Sequence, residues 1–194
     1  LLLPGSRLTE ATKNWHIILL IVEEIDKIFN NQSLIFLTAI ASGLPLQPFE
    51  DKLISQGWIL ENNLLNNERQ EPVFTRNGVT LILTKQTYSD CLQRAKIAIA
   101  RAGTATEQFV GLGKPAIIIP GEGPQFTQVF AEAQTRLLGC SVILVQQPQQ
   151  VASIIQSLLQ DSERLQLIAE NGKRRMGKSG AAARIANCLQ EKLL

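Results

Sequence analysis

The sequence predicts an α/β protein in which a mostly parallel sheet carries helices on both faces. Short apolar runs alternate along the chain with longer stretches of helical periodicity, and Gly, Pro and Asn separate them. Neighbouring parallel strands need a crossover connection, which is usually a helix, so this alternation indicates a parallel sheet. The length of 194 residues fits one such domain, which we place at 1–194.

In the first half of the chain, apolar patterns and turn residues mark each element. Asn77-Gly78 separates two alternating runs and predicts a β-hairpin, because both residues accept positive φ. In order, we predict a strand at 1–3, a helix at about 10–30, a strand at 34–37, a short helix near 48–57, a loop over 60–72, and hairpin strands at 73–76 and 79–84.

The second half repeats the alternation of helix and strand and closes with helices. We predict helices near 88–95, 104–112 and 126–138, strands at 97–100, 116–119 and 142–145, a helix that starts in the Gln-rich stretch after 145 and ends near 161, and C-terminal helices at about 162–175 and 180–193.

Composition excludes several classes of protein. Apolar residues make up 45% of the chain and charged residues 19%, which indicates a folded globular domain, and no apolar run approaches the ~20 residues of a membrane span. The three cysteines lie far apart, so we predict neither a disulfide framework nor a metal site. His16 is the only histidine and is interpreted as structural, which leaves no Ser-His-Asp or Cys-His system. We expect a cytoplasmic protein.

The C-terminal stretch is basic. Residues 173–194 hold six Lys/Arg and one Asp/Glu. We favour the polar face of a last helix, with a phosphate, an anionic membrane surface or nucleic acid as alternatives. Nucleic acid is disfavoured because aromatic residues make up 5% of the chain and none interleaves with the basic cluster.

The same region contains a Walker A match, residues 172–179. A P-loop needs a strand before it and a later acidic residue for magnesium, whereas the preceding residues look helical. We interpret the match as coincidence and expect Gly172 and Gly177 to end and separate helices.

Three loops follow predicted strands, where parallel α/β sheets bind ligands. In the first, Gly5 permits close approach of a ligand, Ser6 offers a hydroxyl and Arg7 a guanidinium for phosphate; an ordinary turn with a surface arginine is equally favoured.

The second loop spans 101–107. Small residues there expose the N–H groups of a helix N-terminus, which form an anion site. Thr104 and Glu107 also match a capping box, which we favour over a ligand contact for Glu107, although a carboxylate could serve both roles by binding sugar hydroxyls.

The third loop spans 120–128. Its glycines and prolines fix its shape, and Glu122, Gln125 and Gln128 can bind hydroxyls or amides; a rigid turn with an N-cap is the alternative. A phosphate pocket beside such groups suggests a nucleotide-linked sugar as ligand.

These motifs together resemble a known family. Leu-Pro-Gly-Ser-Arg at 3–7, Ala-Gly-Thr-Ala-Thr-Glu at 102–107 and Leu-Gly-Lys-Pro-Ala at 112–116 resemble the C-terminal half of lipid-A-disaccharide synthase and its related proteins. The chain is more distantly similar to the peptidoglycan N-acetylglucosaminyltransferase and other GT-B glycosyltransferases. The resemblance is strongest over about 96–145 and supported at 1–10.

The resemblance implies one Rossmann-like half of a two-domain GT-B glycosyltransferase whose donor is a UDP-sugar and whose acceptor is lipid-linked. It implies no metal and no further cofactor. The residues that it places at the nucleotide sugar are Gly5, Ser6 and Arg7 at the diphosphate; Gly103, Thr104, Ala105 and Thr106 at the phosphates; Glu107 at the ribose; backbone at Lys85 and Gln86 at the uracil; and Gln125 at the donor sugar.

The resemblance also implies that the acceptor and the catalytic base come from an N-terminal domain. We therefore expect this chain to be the second half of a longer enzyme, without a catalytic residue of its own and with little turnover alone. The alternatives are half of a UDP-sugar epimerase and a non-catalytic nucleotide-binding module. A further hypothesis places the basic stretch on the inner membrane face.

Overall fold

The computed structural model describes residues 1–61, 71–121, 123, 126–178 and 180–193. They form a Rossmann-like α/β fold with a mostly parallel sheet, as predicted. The strands are β1 (Leu2–Leu3), β2 (Leu34–Ala39), β3 (Ile59–Glu61), β4 (Val73–Arg76), β5 (Val79–Thr84), β6 (Ala98–Ala100), β7 (Ala116–Ile118) and β8 (Val142–Leu144). The helices are α1 (Leu8–Phe29), α2 (Gln47–Ser55), α3 (Tyr88–Arg94), α4 (Thr104–Gly111), α5 (Gln128–Leu138), α6 (Gln150–Gln160), α7 (Ser162–Met176) and α8 (Ala181–Leu193), with a 3₁₀ turn at Gly139–Ser141.

The order of the strands determines where a ligand can bind. The sheet runs β3-β4-β5-β2-β1-β6-β7-β8, and β4 pairs antiparallel with both β3 and β5, whereas all the other pairs are parallel. The parallel strands from β5 to β8 therefore follow the Rossmann order, in which successive connections leave β1 in opposite directions. The connections after β1 and after β6 diverge at this switch point and open a crevice at the carboxyl ends of the strands.

Apolar side chains alternate between the two faces of the central strands. Leu2 and Ile99 face a core that includes residues of α1, α2 and α6, whereas Leu3 and Ala100 face a core that includes residues of α3, α4 and α5. This alternation is the period of two of a β-strand buried on both faces. The two cores fix the ends of β1 and β6 beside each other.

The hairpin prediction is confirmed and the adjacent loop prediction is wrong in part. β4 and β5 have the predicted bounds, and Asn77 and Gly78 have φ values of 51° and 83°. Within the predicted loop over 60–72, however, β3 pairs with β4, and residues 62–70 lie outside the described residues. Ile59 and Leu60 are exposed on this edge strand, so its formation depends on pairing with β4 and leaves no burial pattern in the sequence.

The Walker A match does not form a P-loop. Residues 172–176 continue α7, and no strand leads into them. Gly177 ends the helix at φ 74° as predicted, but the prediction that Gly172 ends a helix is wrong. Gly172 lies inside α7, where the helix packs closely against α4. A Cβ there would lie 2.3 Å from the Val110 carbonyl oxygen, so this close approach favours glycine.

The basic C-terminal residues are exposed but do not share one helix face. Lys173, Arg174 and Arg175 lie in the last turn of α7, Lys178 follows that helix, and the other two cations, Arg184 and Lys192, lie on α8. Cations in a last helical turn interact favourably with the helix dipole. Among the described residues, no helix combines the length and apolar character that crossing a bilayer requires.

Candidate functional site

A cavity of about 820 Å³ lies at the carboxyl ends of the central strands. It receives residues from the connections after β1, β2, β5 and β6 and from the start of α5. The predicted site residues that line it are Gly5, Ser6, Arg7, Lys85, Gly103, Thr104, Ala105 and Glu107. The topology therefore brings most of the predicted residues together at the switch point.

The connection after β1 is held close to the connection after β6. Gly5 has a φ of 109°, which favours glycine, and a Cβ there would lie 3.3 Å from the Arg101 carbonyl oxygen. Asn14 Nδ2 donates to the Pro4 carbonyl oxygen at 2.8 Å and fixes the turn from the buried side of α1. Arg7 is the N-cap residue of α1 and is exposed, and no side chain caps this helix.

The capping-box prediction for the second loop is wrong. α4 begins at Thr104, so Gly103 occupies the N-cap position and no side chain caps the helix. A capping box needs Thr at the N-cap and Glu three residues later, whereas here Glu107 lies four residues after the N-cap. The Glu107 carboxylate, which is half-buried at the cavity wall, accepts no hydrogen bond from the described residues.

Thr106 and Gln86 do not line the cavity. Thr106 is fully buried, and its Oγ1 donates to the Ala102 carbonyl oxygen at 2.5 Å. Gln86 is exposed, and its backbone N–H donates to Thr84 Oγ1 at 3.3 Å. Thr106 thus supports the turn before α4, and the structure gives no cavity-facing role to either side chain.

Two buried charges that the sequence did not single out flank the third loop. Arg101 Nη2 donates to the Pro120 carbonyl oxygen at 2.9 Å, and Glu10 Oε1 accepts the Phe126 backbone N–H at 2.9 Å. Burial lowers the pKa of Arg101, and the negative charge of Glu10 opposes that shift. The predicted Gln125, like Glu122, lies outside the described residues.

Aromatic and polar side chains complete the cavity wall. Phe126 and Phe130 pack with ring centroids 5.4 Å apart, and Tyr88 donates to Gln108 Oε1 at 2.5 Å. The sequence pattern indicated neither these four residues nor Glu10. Each of them lies within about one helical turn of a connection that follows a parallel strand. This position is the only feature of the sequence that indicates them.

The single histidine of the chain lies away from the site. His16 is exposed on α1 and does not line the cavity, and its interpretation as a structural residue stays a prediction. The described residues contain no group of three potential metal ligands.

The fold is that of a Rossmann-like domain with a cavity at its topological switch point. Two uncapped helix N-termini and two arginines adjoin that site, an arrangement suited to an anionic ligand. No protein-family model matches the chain, and no curated protein matches it either.

Proposed function

We propose that this chain is the donor-binding domain of a glycosyltransferase that transfers a sugar from a UDP-sugar to a lipid-linked acceptor. The observation that carries the proposal is the convergence of the α1 and α4 N-termini, both without side-chain caps, on one cavity at the switch point. Free backbone N–H groups at a helix N-terminus bind phosphate oxygens. A diphosphate supplies enough oxygens to engage both helices.

Glu107 supports the proposal that the ligand also carries neutral hydroxyl groups. Its carboxylate lines the cavity, and none of the described residues donates a hydrogen bond to it. An ionised carboxylate can only accept hydrogen bonds, and a pair of ribose hydroxyls would donate them. The volume of about 820 Å³ falls within the range of small-molecule sites and has room for a nucleotide sugar.

The proposed chemistry is stabilisation of the leaving group. As the sugar departs, negative charge grows on the UDP diphosphate, and fixed N–H dipoles and guanidinium groups at the cavity stabilise that charge without reorganising. The sugar acceptor and the base that deprotonates it would come from a second domain. This chain alone would then bind the donor with little transfer.

Calorimetric titration with UDP, UDP-glucose, UDP-N-acetylglucosamine, ADP and GDP tests the proposal. We expect UDP and at least one UDP-sugar to bind more tightly than ADP and GDP. Glu107→Ala should weaken UDP binding about 10- to 100-fold, the range for a lost pair of charge-assisted hydrogen bonds. Glu163→Ala, on an exposed part of α7, is the matched control and should leave the affinity unchanged.

Two results would contradict this assignment. Equal or absent affinity for all three diphosphates would remove the uridine nucleotide as ligand. Unchanged UDP affinity in Glu107→Ala would remove the ribose contact. Product analysis with a full-length enzyme then separates glycosyl transfer from epimerisation of the UDP-sugar, because only transfer leaves the sugar covalently attached to an acceptor.

We also propose that the exposed cations at the end of α7 contact an anionic membrane surface. Lys173, Arg174, Arg175 and Lys178 form no salt bridge with any other described residue, and each cation near such a surface contributes about 1 kcal/mol. Vesicles with and without phosphatidylglycerol provide the test by co-sedimentation. Binding that is indifferent to the anionic lipid, or to changing the four residues to Gln, would refute this contact.

A further inference from the structure

Arg101 is a buried cation at the cavity wall without an ion pair. The residue is 5% exposed, and the only hydrogen bond of its side chain to the described residues is the one from Nη2 to the Pro120 carbonyl oxygen. Nε is buried and has no partner among those residues, and no described carboxylate lies within salt-bridge distance. Keeping a guanidinium in this state is costly unless an anion compensates it.

We propose that Arg101 binds the phosphate charge of the ligand, and that Glu10 opposes anion binding while it holds the loop after β7. The inference deepens the proposed function and rests on it for the phosphate-bearing ligand. Arg101 lies two residues before Gly103, the N-cap of α4, and both residues line the cavity, so one phosphate group there can contact both the guanidinium and the free N–H groups of that helix.

Glu10 has a defined structural partner that a neutral side chain can also satisfy. Its Oε1 accepts the Phe126 N–H at 2.9 Å, and an amide oxygen in Glu10→Gln accepts the same hydrogen bond. The remaining charged groups that line the cavity are Arg7, Lys85 and Glu107, so Glu10 is one of two negative charges that a phosphate meets there. Removing it should strengthen anion binding while keeping the loop in place.

The two glycines between these contacts support the same arrangement. A Cβ on Gly121 would lie 2.0 Å from Arg101 Nη2, and one on Gly123 would lie 2.6 Å from Glu10 Oε1. Gly121 has no positive φ, so its backbone conformation does not require glycine. At both positions the charged side chains occupy the space beside the cavity that a Cβ would take.

Opposite effects of two substitutions test the inference. Titrations with uridine, UDP and inorganic pyrophosphate would compare the unmodified chain with Arg101→Met, Glu10→Gln and the exposed control Arg136→Met on α5. We expect Arg101→Met to weaken UDP and pyrophosphate binding about 10- to 100-fold and to leave uridine within about twofold. Glu10→Gln should strengthen UDP and pyrophosphate binding about threefold, and the control should change nothing.

Other results would show that Arg101 or Glu10 does not act on the anion as proposed. Unchanged affinities in Arg101→Met, or weaker anion binding in Glu10→Gln, would overturn the inference. If Arg101→Met does not fold, Arg101→Lys replaces it: retained charge should keep UDP binding within about tenfold, and Glu10→Gln must still bind more tightly. If pyrophosphate binding depends on Arg101 and UDP does not bind, the proposed function is refuted and the phosphate site at Arg101 stands. If UDP binds and its affinity does not depend on Arg101, the phosphate site at Arg101 is refuted and the proposed function stands.

Discussion

Replacing Gly5 by Ala should destabilise the domain by about 2–3 kcal/mol. Gly5 has a φ of 109°, and a non-glycine residue in such a conformation costs about 1–3 kcal/mol. The new Cβ would also lie 3.3 Å from the Arg101 carbonyl oxygen, closer than most Cβ contacts. The Cβ is attached directly to the backbone, its partner is a backbone oxygen, and both connections follow buried strands, so little relaxation is available.

Urea unfolding followed by circular dichroism measures this effect. With a slope of about 2–3 kcal/mol per M, the midpoint should fall by about 1 M. Gly43→Ala is the matched control, because a Cβ there meets nothing within 4 Å and its φ is not positive. A loss in Gly5→Ala that does not exceed the loss in Gly43→Ala by at least about 1 kcal/mol would refute the argument from strain and close approach.

Two further predictions concern residues outside the cavity wall. Lys114→Met should lower the free energy of unfolding by about 1–3 kcal/mol in the same urea assay, because Lys114 Nζ donates to the carbonyl oxygens of Leu92 and Ala95, both at 2.7 Å, at the end of α3. Lys96→Met, at an exposed position, should change stability by less than about 0.5 kcal/mol, and equal losses in the two variants would contradict this capping role. Iodoacetamide under native conditions should modify the exposed cysteines of the chain before the buried Cys91, whose thiol pKa is raised by burial; mass spectrometry that finds Cys91 alkylated first would refute its burial.

The secondary structure could be predicted where local chemistry determines it. Asn77-Gly78 fixes the hairpin because few other pairs accept two positive φ values, and the structure gives both strands their predicted bounds. β3 escaped prediction because it forms by pairing with β4 at the sheet edge. The prediction that Thr104 and Glu107 form a capping box failed for a similar reason. The turn at Gly103 starts α4 at Thr104, and the motif alone does not show at which residue a helix begins.

The position of the site could be predicted better than its composition. The rule that ligands bind at the carboxyl ends of parallel strands is enough to bring Gly5 and Gly103 to one cavity, because both follow central strands. The same rule does not report which side chains turn inward. Thr106 matches its neighbours in sequence chemistry, yet the helical period places it in the core with its hydroxyl on Ala102.

Gly121 and Gly123 show why the charged part of the site could not be predicted from the sequence. In a loop that also contains prolines, glycines are normally interpreted as turn residues with positive φ. Here the atoms that a Cβ would meet at the two positions belong to Arg101 and Glu10. Glu10 lies on the first helix of the chain, so its contact with this loop forms only when the sheet has assembled. At both positions the charged side chain occupies the space of the missing Cβ, so a substitution to Ala would force Arg101 or Glu10 to shift.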